Sequence, residues 1–210
     1  MIFDLWDTLI AWDDELGVAF FAHVAEALGT TPEETHAVWD EGRPSRSSGP
    51  MLDYLRTIGL EGELADSIVE RRRELARRAI VPVAGAVETV RELRARGLKV
   101  GLLSVCSDEV PAVWADTAFA GIFDTEVFSC DVGLLKPDPR IYALTCERLG
   151  VDPAETLFVG DGANDELAGA ERAGLRAVQV QLHDEEPRWP EARDWHGPRI
   201  SSIPQVLELV

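Results

Sequence analysis

From Gly85 onward the apolar positions switch between two periods. Residues 86–96 carry Val87, Val90 and Leu93 on one helical face and stop at Gly97, and 99–103 then reads as a strand. The same unit recurs: a strand over 125–129, a helix over 139–149 closed by Gly150, a strand over 156–159, a helix over 165–173 stopped by Gly174, and a strand over 176–181. Residues 183–198, rich in Glu, Pro, Trp and Arg, read as a surface loop before a short closing helix over 203–209. Strands alternating with helices in this way predict an α/β fold with a doubly wound parallel sheet.

The stretch 12–81 breaks the alternation, because it offers helical periodicity only, over 18–28, 32–39, 52–58 and 64–79. A wholly helical insertion between a first strand and the rest of a sheet predicts an α-helical cap domain at 12–81 over a core formed by 1–11 and 82–210. Its linkers are 11–14 and 81–84, and residues 43–50 are its loop. The first strand, Ile2-Phe3, is short and begins almost at Met1, which predicts a native start upstream of this one.

A chain of 210 residues holds one α/β domain and a small accessory domain. Its 20 Lys+Arg stand against 38 Asp+Glu, and a net charge of −18 repels phosphate backbones and anionic bilayers. Nucleic acid and membrane are therefore excluded as partners, leaving a small-molecule substrate and a monomer or homodimer; the charge disfavours an anionic substrate too, unless the site itself concentrates cations. The same charge requires any phosphate-handling site to concentrate cations locally. Cys106, Cys130 and Cys146 lack paired spacing and read as reduced, buried thiols. No basic-plus-apolar leader and no apolar run of ~20 residues is present, so a cytoplasmic location is expected.

Open parallel sheets bind ligands at the carboxyl ends of their strands. Four polar features fall there: Asp4 after Ile2-Phe3, Ser104 after Val100-Gly101-Leu102-Leu103, Lys136 before Pro137, and Asp161 with Asp165 in Gly160-Asp161-Gly162-Ala163-Asn164-Asp165. Taken singly, Ser104 reads as a strand-end cap, Lys136 as a solvated surface residue and Asp161-Gly162 as an ordinary turn. Their order carries more than any one of them. Phe3-Asp4-Leu5-Trp6-Asp7-Thr8-Leu9, Ser104, Lys136-Pro137 and the Asp161 turn resemble, in sequence across essentially the whole chain, the haloacid dehalogenase-like hydrolase superfamily, whose motifs are D-x-D-G-T-L or D-x-D-D-T-L, Ser/Thr, K-P and G-D-x-x-x-D.

The resemblance implies a Rossmann-like core, a cap inserted after the first motif, and Asp4 as nucleophile. It implies Mg²⁺ held by Asp4, the Trp6 backbone carbonyl and Asp161, with Asp165 assisting directly or through water. Ser104 and Thr8 would hydrogen-bond the transferring group or position the loop, and Lys136 would neutralise charge. The chemistry is consistent with these roles. A carboxylate attacks an anionic centre only when a cation offsets the repulsion, and three converging carboxylates are tolerable chiefly around a hard cation.

One position departs from the pattern. Phosphatases of the family carry a second aspartate two residues after the nucleophile, as general acid and then base, where this chain has Trp6. Indole can do neither, and such assistance is worth ~10²–10⁴ in rate. Asp7 occupies the next position, and a one-residue shift at a strand end turns its side chain elsewhere. Three readings follow. A Mg²⁺-dependent phosphohydrolase acting on a small phosphorylated metabolite through an aspartyl-phosphate is favoured. The alternatives are a metal-independent 2-haloacid dehalogenase, whose family members carry an aromatic residue here, and a non-catalytic binding protein. The intact acidic turn favours the first, since the family's dehalogenases lack its first acidic residue.

For the cap, Arg71, Arg72, Arg73, Arg77 and Arg78 with Glu70 and Glu74 read first as a solvated helix face. An arginine from that group, or Arg43 or Arg46, is the candidate for holding a carboxylate or second phosphate at the site entrance. Trp12 and Trp39 read as core or cleft wall, and His23, His36, His183 and His196 show no ligand spacing.

Overall fold

The first strand of the computed structural model, β1 (Ile2–Phe3), lies at the centre of a sheet because both its residues are wholly buried and it is paired on each side. The structure describes residues 1–11, 14–182, 186–187 and 189–210; Trp12, Asp13 of the first linker and His183 lie outside them. Five helices follow β1: α1 (Asp14–Leu28), α2 (Pro32–Glu41), α3 (Arg43–Arg46), α4 (Met51–Thr57) and α5 (Gly62–Ala79). Then come α6 (Ala86–Ala95), β2 (Gly101–Ser104), α7 (Glu109–Val113), β3 (Thr125–Phe128), α8 (Ser129–Val132) and α9 (Pro139–Leu149). The chain closes with β4 (Leu157–Gly160), α10 (Glu166–Arg172), β5 (Arg176–Val180), α11 (Pro190–Arg193) and β6 (Arg199–Ile200).

All six strands are parallel, in the order β3-β2-β1-β4-β5-β6. This is the doubly wound α/β sheet that the alternation predicts. The order reverses at β1, so the crevice for a ligand opens beyond the carboxyl ends of β1 and β4. Alternation along the strands splits the core in two. Phe3, Leu102, Val159 and Val178 face one way, towards Val87, Val90 and Leu93 of α6; Ile2, Leu103, Phe158 and Ala177 face the other, towards Ile141 and Cys146 of α9 and Leu167 of α10.

Helices α1–α5 hold a separate apolar cluster of Phe20, Val24, Trp39, Met51, Tyr54, Leu55 and Ile68, in which Phe20 and Trp39 meet edge to face with centroids 4.9 Å apart. The last turn of α5 leaves it: Ala76, with the adjoining Ile80, joins the sheet core.

Several elements differ from the sequence pattern, each for a local reason. Residues 43–50 contain the single turn α3, and 183–198 contain α11, both begun by a proline in the first turn. Two-residue β6 is too short to show alternation. The helix expected over 165–173 begins at Glu166, because Asn164 and Asp165 take left-handed φ of 53° and 58° and form a separate 3₁₀ turn. The closing segment Ile203–Glu208 is 3₁₀ rather than α. Among the described residues no helix is long and apolar enough to cross a membrane.

Candidate active site

Asp4 directly follows β1, and its backbone N–H donates to the Val159 carbonyl at 2.8 Å, which holds it beside the end of β4. Its side chain is buried among others of both signs. Lys136 Nζ donates to Asp4 Oδ1 at 2.5 Å and also to Glu166 Oε2. Asp4, Asp161 and Glu166 bring carboxylate oxygens within 4.8 Å of one another, the one such grouping of metal-capable side chains among the described residues.

Each member is placed by a backbone feature. Gly160, which ends β4, leaves the space that Glu166 fills: a Cβ there would lie 2.1 Å from Glu166 Oε1. Gly162, at φ 100°, turns the chain, and its N–H donates to Glu166 Oε1 at 3.0 Å. The Ala163 N–H donates to Asp161 Oδ1 at 3.1 Å, and Gln179 Nε2 fixes the Asp161 carbonyl at 3.0 Å. Behind Glu166, the Tyr142 hydroxyl donates to its carbonyl at 2.8 Å.

Burial dominates the electrostatics. It pushes the Asp4 carboxyl up to about 7, reinforced by Glu166 and opposed by Lys136. Burial likewise pushes Asp161 well above the carboxylate range, with Glu166 and Asp4 adding to it. For Lys136 burial acts to lower the ammonium, but the Asp4 and Glu166 carboxylates outweigh it and hold it above its ordinary value. Lys136 thus stays charged, but one cation does not keep three neighbouring carboxyl groups ionised. A divalent hard cation would favour the ionised forms of Asp4 and Asp161, so the donor set fits Mg²⁺.

These groups line a cavity of about 880 Å³ between the strand ends and helices α1–α3 and α5. Asp4, Trp6, Lys136 and Asp161 line it as the sequence pattern places them, and Glu166 lines it where the pattern places Asp165. The Asp165 carboxylate turns outward to Arg172 Nη2 at 2.8 Å and is half exposed, a direction set by the left-handed turn at 164–165. Thr8 and Ser104 are wholly buried and outside the cavity lining, each with an Oγ that has no hydrogen-bond partner among the described residues. Asp7 does line the cavity: at φ 53° it sits in a left-handed turn, where strand alternation no longer decides direction.

The opposite wall carries arginines. Of the basic cluster on α5, Arg73 and Arg77 pair with Glu70 at the surface, as a solvated face does. Arg72 instead turns inward, with Nε 3.1 Å from Glu109 Oε1, and joins Arg43 and Arg46 on the cavity wall. His36 lies there too, 3.1 Å from Asp40, and among the described residues no histidine joins the carboxylate grouping. Trp39 belongs both to the apolar cluster of α1–α5 and to the cavity wall.

A doubly wound α/β protein with an acidic, lysine-bearing site at its strand ends is the class that this fold and geometry define. A family model for haloacid dehalogenase-like hydrolase matches residues 1–174, and the chain belongs to that family. Among curated proteins it is 35% identical to the phosphoserine phosphatase of Thermus thermophilus, over 84% of this chain and 70% of that one. It is 31% identical to (S)-2-haloacid dehalogenase 4A of Burkholderia cepacia, over 74% of this chain and 65% of that protein's length, which is just under two thirds. Its fold superposes on a HAD phosphatase from Thermococcus onnurineus with a TM-score of 0.74, at 20% identity over 99% of this chain and 95% of that one. Both phosphatases and dehalogenases are thus relatives of this chain.

Proposed function

We propose that this chain is a Mg²⁺-dependent phosphohydrolase acting on a small phosphorylated molecule through Asp4, with residues 12–81 as the cap over the site. The observation that carries this reading is the close grouping of Asp4, Asp161 and Glu166, in which Lys136 is the one cation for three carboxyl groups. Mg²⁺ would be held by Asp4, the Trp6 backbone carbonyl, Asp161 and Glu166, with Asp165 left to its surface ion pair. When bound, the ion neutralises the repulsion between an anionic nucleophile and an anionic phosphate.

The chain's own groups do the rest. A carboxylate oxygen of Asp4 attacks phosphorus, the bond from phosphorus to the leaving alcohol oxygen breaks, and that oxygen keeps the electron pair. Lys136 holds positive charge against the nucleophile and the phosphate oxygens. Water then attacks the phosphorus of the aspartyl-phosphate, the bond to Asp4 breaks, and the carboxylate returns as orthophosphate and a proton leave. Trp6 supplies no proton to the leaving group, so a phosphate with a good leaving group, protonated from water, is the substrate type that suits the site. Thr8 and Ser104, buried outside the cavity lining, are assigned to the packing of the strand-end loops around Asp4 rather than to contact with the transferring group. The free thiols Cys106, Cys130 and Cys146, all buried, suit a reducing, cytoplasmic setting.

A dehalogenase reading is favoured by one feature, the aromatic Trp6 two residues after the nucleophile. Asp161 speaks against it, because it adds to the site an acidic group that halide displacement does not use. The test is a matched assay of wild type and Asp4→Asn on an activated aryl phosphate and on 2-chloropropionate, each with Mg²⁺ and with EDTA. Mg²⁺-dependent phosphate release that Asp4→Asn abolishes is the expected result. Chloride release that survives EDTA would replace this reading with the dehalogenase, and silence on both would point to a binding protein.

A further inference from the structure

Trp6 is mounted firmly beside the nucleophile. The Leu9 and Ile10 N–H groups both donate to the Leu5 carbonyl, at 2.9 and 3.1 Å, while Trp6 and Ile10 form a parallel bridge and Ile10 an antiparallel one with Pro82. The indole packs against the sheet core and lines the cavity. It gives no proton, so the oxygen that leaves phosphorus must carry its negative charge unaided. An alkoxide does this poorly, whereas in an aryl oxide the ring delocalises the charge. A second indole reaches the same cavity from the C-terminal part of the core. Trp189 precedes α11, and its carbonyl accepts from the Ala192 N–H at 3.1 Å. Gln179 ties α11 to the acidic turn, because its Nε2 donates both to the Ala192 carbonyl at 2.9 Å and to the Asp161 carbonyl at 3.0 Å. Helix α11 also packs directly on Gly162, where a Cβ would lie 2.8 Å from Ala192 Cβ. The Arg43 guanidinium lies 5.3 Å from the Trp189 ring centroid and helps to hold the ring in place. Phe21 and Trp39 also line the cavity, but both are engaged edge to face with rings of α1–α5. Trp6 and Trp189 instead belong to, or are tied to, the segments that carry Asp4 and Asp161.

We propose that the leaving group is aromatic, so that the substrate is an aryl phosphate whose ring lies against Trp189, and that Trp189 is a specificity-determining residue. The phosphate half of this statement rests on the phosphohydrolase reading; the ring subsite does not. The absent acid and the indole-lined wall are separate observations, and an aromatic leaving group answers both. In the first step a carboxylate oxygen of Asp4 attacks phosphorus, the bond from phosphorus to the aryl oxygen breaks, and the aryl oxide departs with the electron pair and takes its proton from water. A ring that meets the indole edge to face or offset gains a contact beyond the burial of its own surface. The cavity, at about 880 Å³, has room for the phosphate and such a ring.

The test compares kcat/KM on phenyl phosphate and hexafluoroisopropyl phosphate. Both leaving groups are apolar and of similar acidity, and only the first carries a ring. Hexafluoroisopropanol is the slightly stronger acid, so leaving-group acidity alone would favour the second ester. Wild type should instead favour phenyl phosphate by about 10-fold, the size of one ring–ring contact. In Trp189→Leu that ratio should fall towards one, and Trp189→Phe, which keeps a ring, should retain most of it. The ratio is unaffected by any fraction of variant that fails to fold. No preference in wild type, or a ratio unchanged in Trp189→Leu whether or not both rates fall, would overturn the proposal and leave Trp189 as an anchor for α11. If no ester is hydrolysed, calorimetric titration with phenylphosphonate against cyclohexylphosphonate, each with Mg²⁺, decides. Tighter binding of phenylphosphonate that Trp189→Leu abolishes keeps the ring subsite while the hydrolase reading falls; equal binding of the two, or binding of neither, removes the subsite as well.

Discussion

Glu166 rather than Asp165 faces Asp4 because two residues in succession, Asn164 and Asp165, take left-handed backbone and rotate the chain before α10 begins. The G-D-x-x-x-D spacing shows an acidic turn but not which carboxylate it turns inward. Glu166, one residue further on, is the signal that could have found the group. The expected consequence is measurable by Mg²⁺ titration: Glu166→Gln weakens binding by about 10-fold or more, while Asp165→Asn, which breaks only the surface pair with Arg172, changes it far less. Equal losses would return Asp165 to the metal. Trp6 is the other residue whose identity decides chemistry. Trp6→Asp should raise kcat by about 10²-fold on alkyl phosphates, which need leaving-group protonation, and much less on aryl phosphates, which do not. An equal rise on both would show that the indole acts by blocking space.

At the scale of elements, α10 and the Lys136 segment depend on each other. A Cβ on Gly169 would lie 2.7 Å from Pro137 Cβ and 2.9 Å from the Tyr142 hydroxyl oxygen, so α10 packs against the turn that aims Lys136 and against the hydroxyl that holds the Glu166 carbonyl. Gly169→Ala should cost roughly 1–3 kcal/mol in urea unfolding, as overpacking does, and should lower turnover in the folded fraction. Stability lost with full activity retained would show that Lys136 is aimed by other contacts. The long periodic elements α5, α6 and α9 were legible from sequence because each repeats its apolar face for several turns. Short α3, α8 and α11 and strand β6 were not, being too brief to establish a period. The strand ends moved by a residue or two for a related reason: a run such as 99–103 marks an apolar core but not where ladder pairing starts, and the N–H of Gly101 meets the Met1 carbonyl.

For the molecule as a whole, the sequence pattern separated α1–α5 from the sheet, and the structure gives those helices an apolar cluster of their own, while leaving Ala76 and Ile80 in the sheet core. What patterning could not show is how the two layers meet. The Met51 N–H donates to Asp108 Oδ2 at 3.1 Å, Ser129 Oγ donates to the Ser47 carbonyl at 2.6 Å, and Arg72 meets Glu109; each joins residues more than thirty apart in the chain. These bonds put a wall with surplus positive charge opposite an acidic strand-end site in a molecule whose net charge is −18. Composition alone argues against an anionic substrate, and the proposed function depends on this local arrangement to offset it.

The central claim is that Asp4 becomes phosphorylated in the course of turnover. Peptide mass measurement on enzyme acid-quenched during turnover of acetyl phosphate tests it directly. With Mg²⁺ present, a phosphoryl group should appear on the peptide containing Asp4, and it should be absent with EDTA and in Asp4→Asn. An unmodified Asp4 in enzyme that is releasing phosphate, or an organic ester on Asp4 formed from 2-chloropropionate in EDTA, would contradict it.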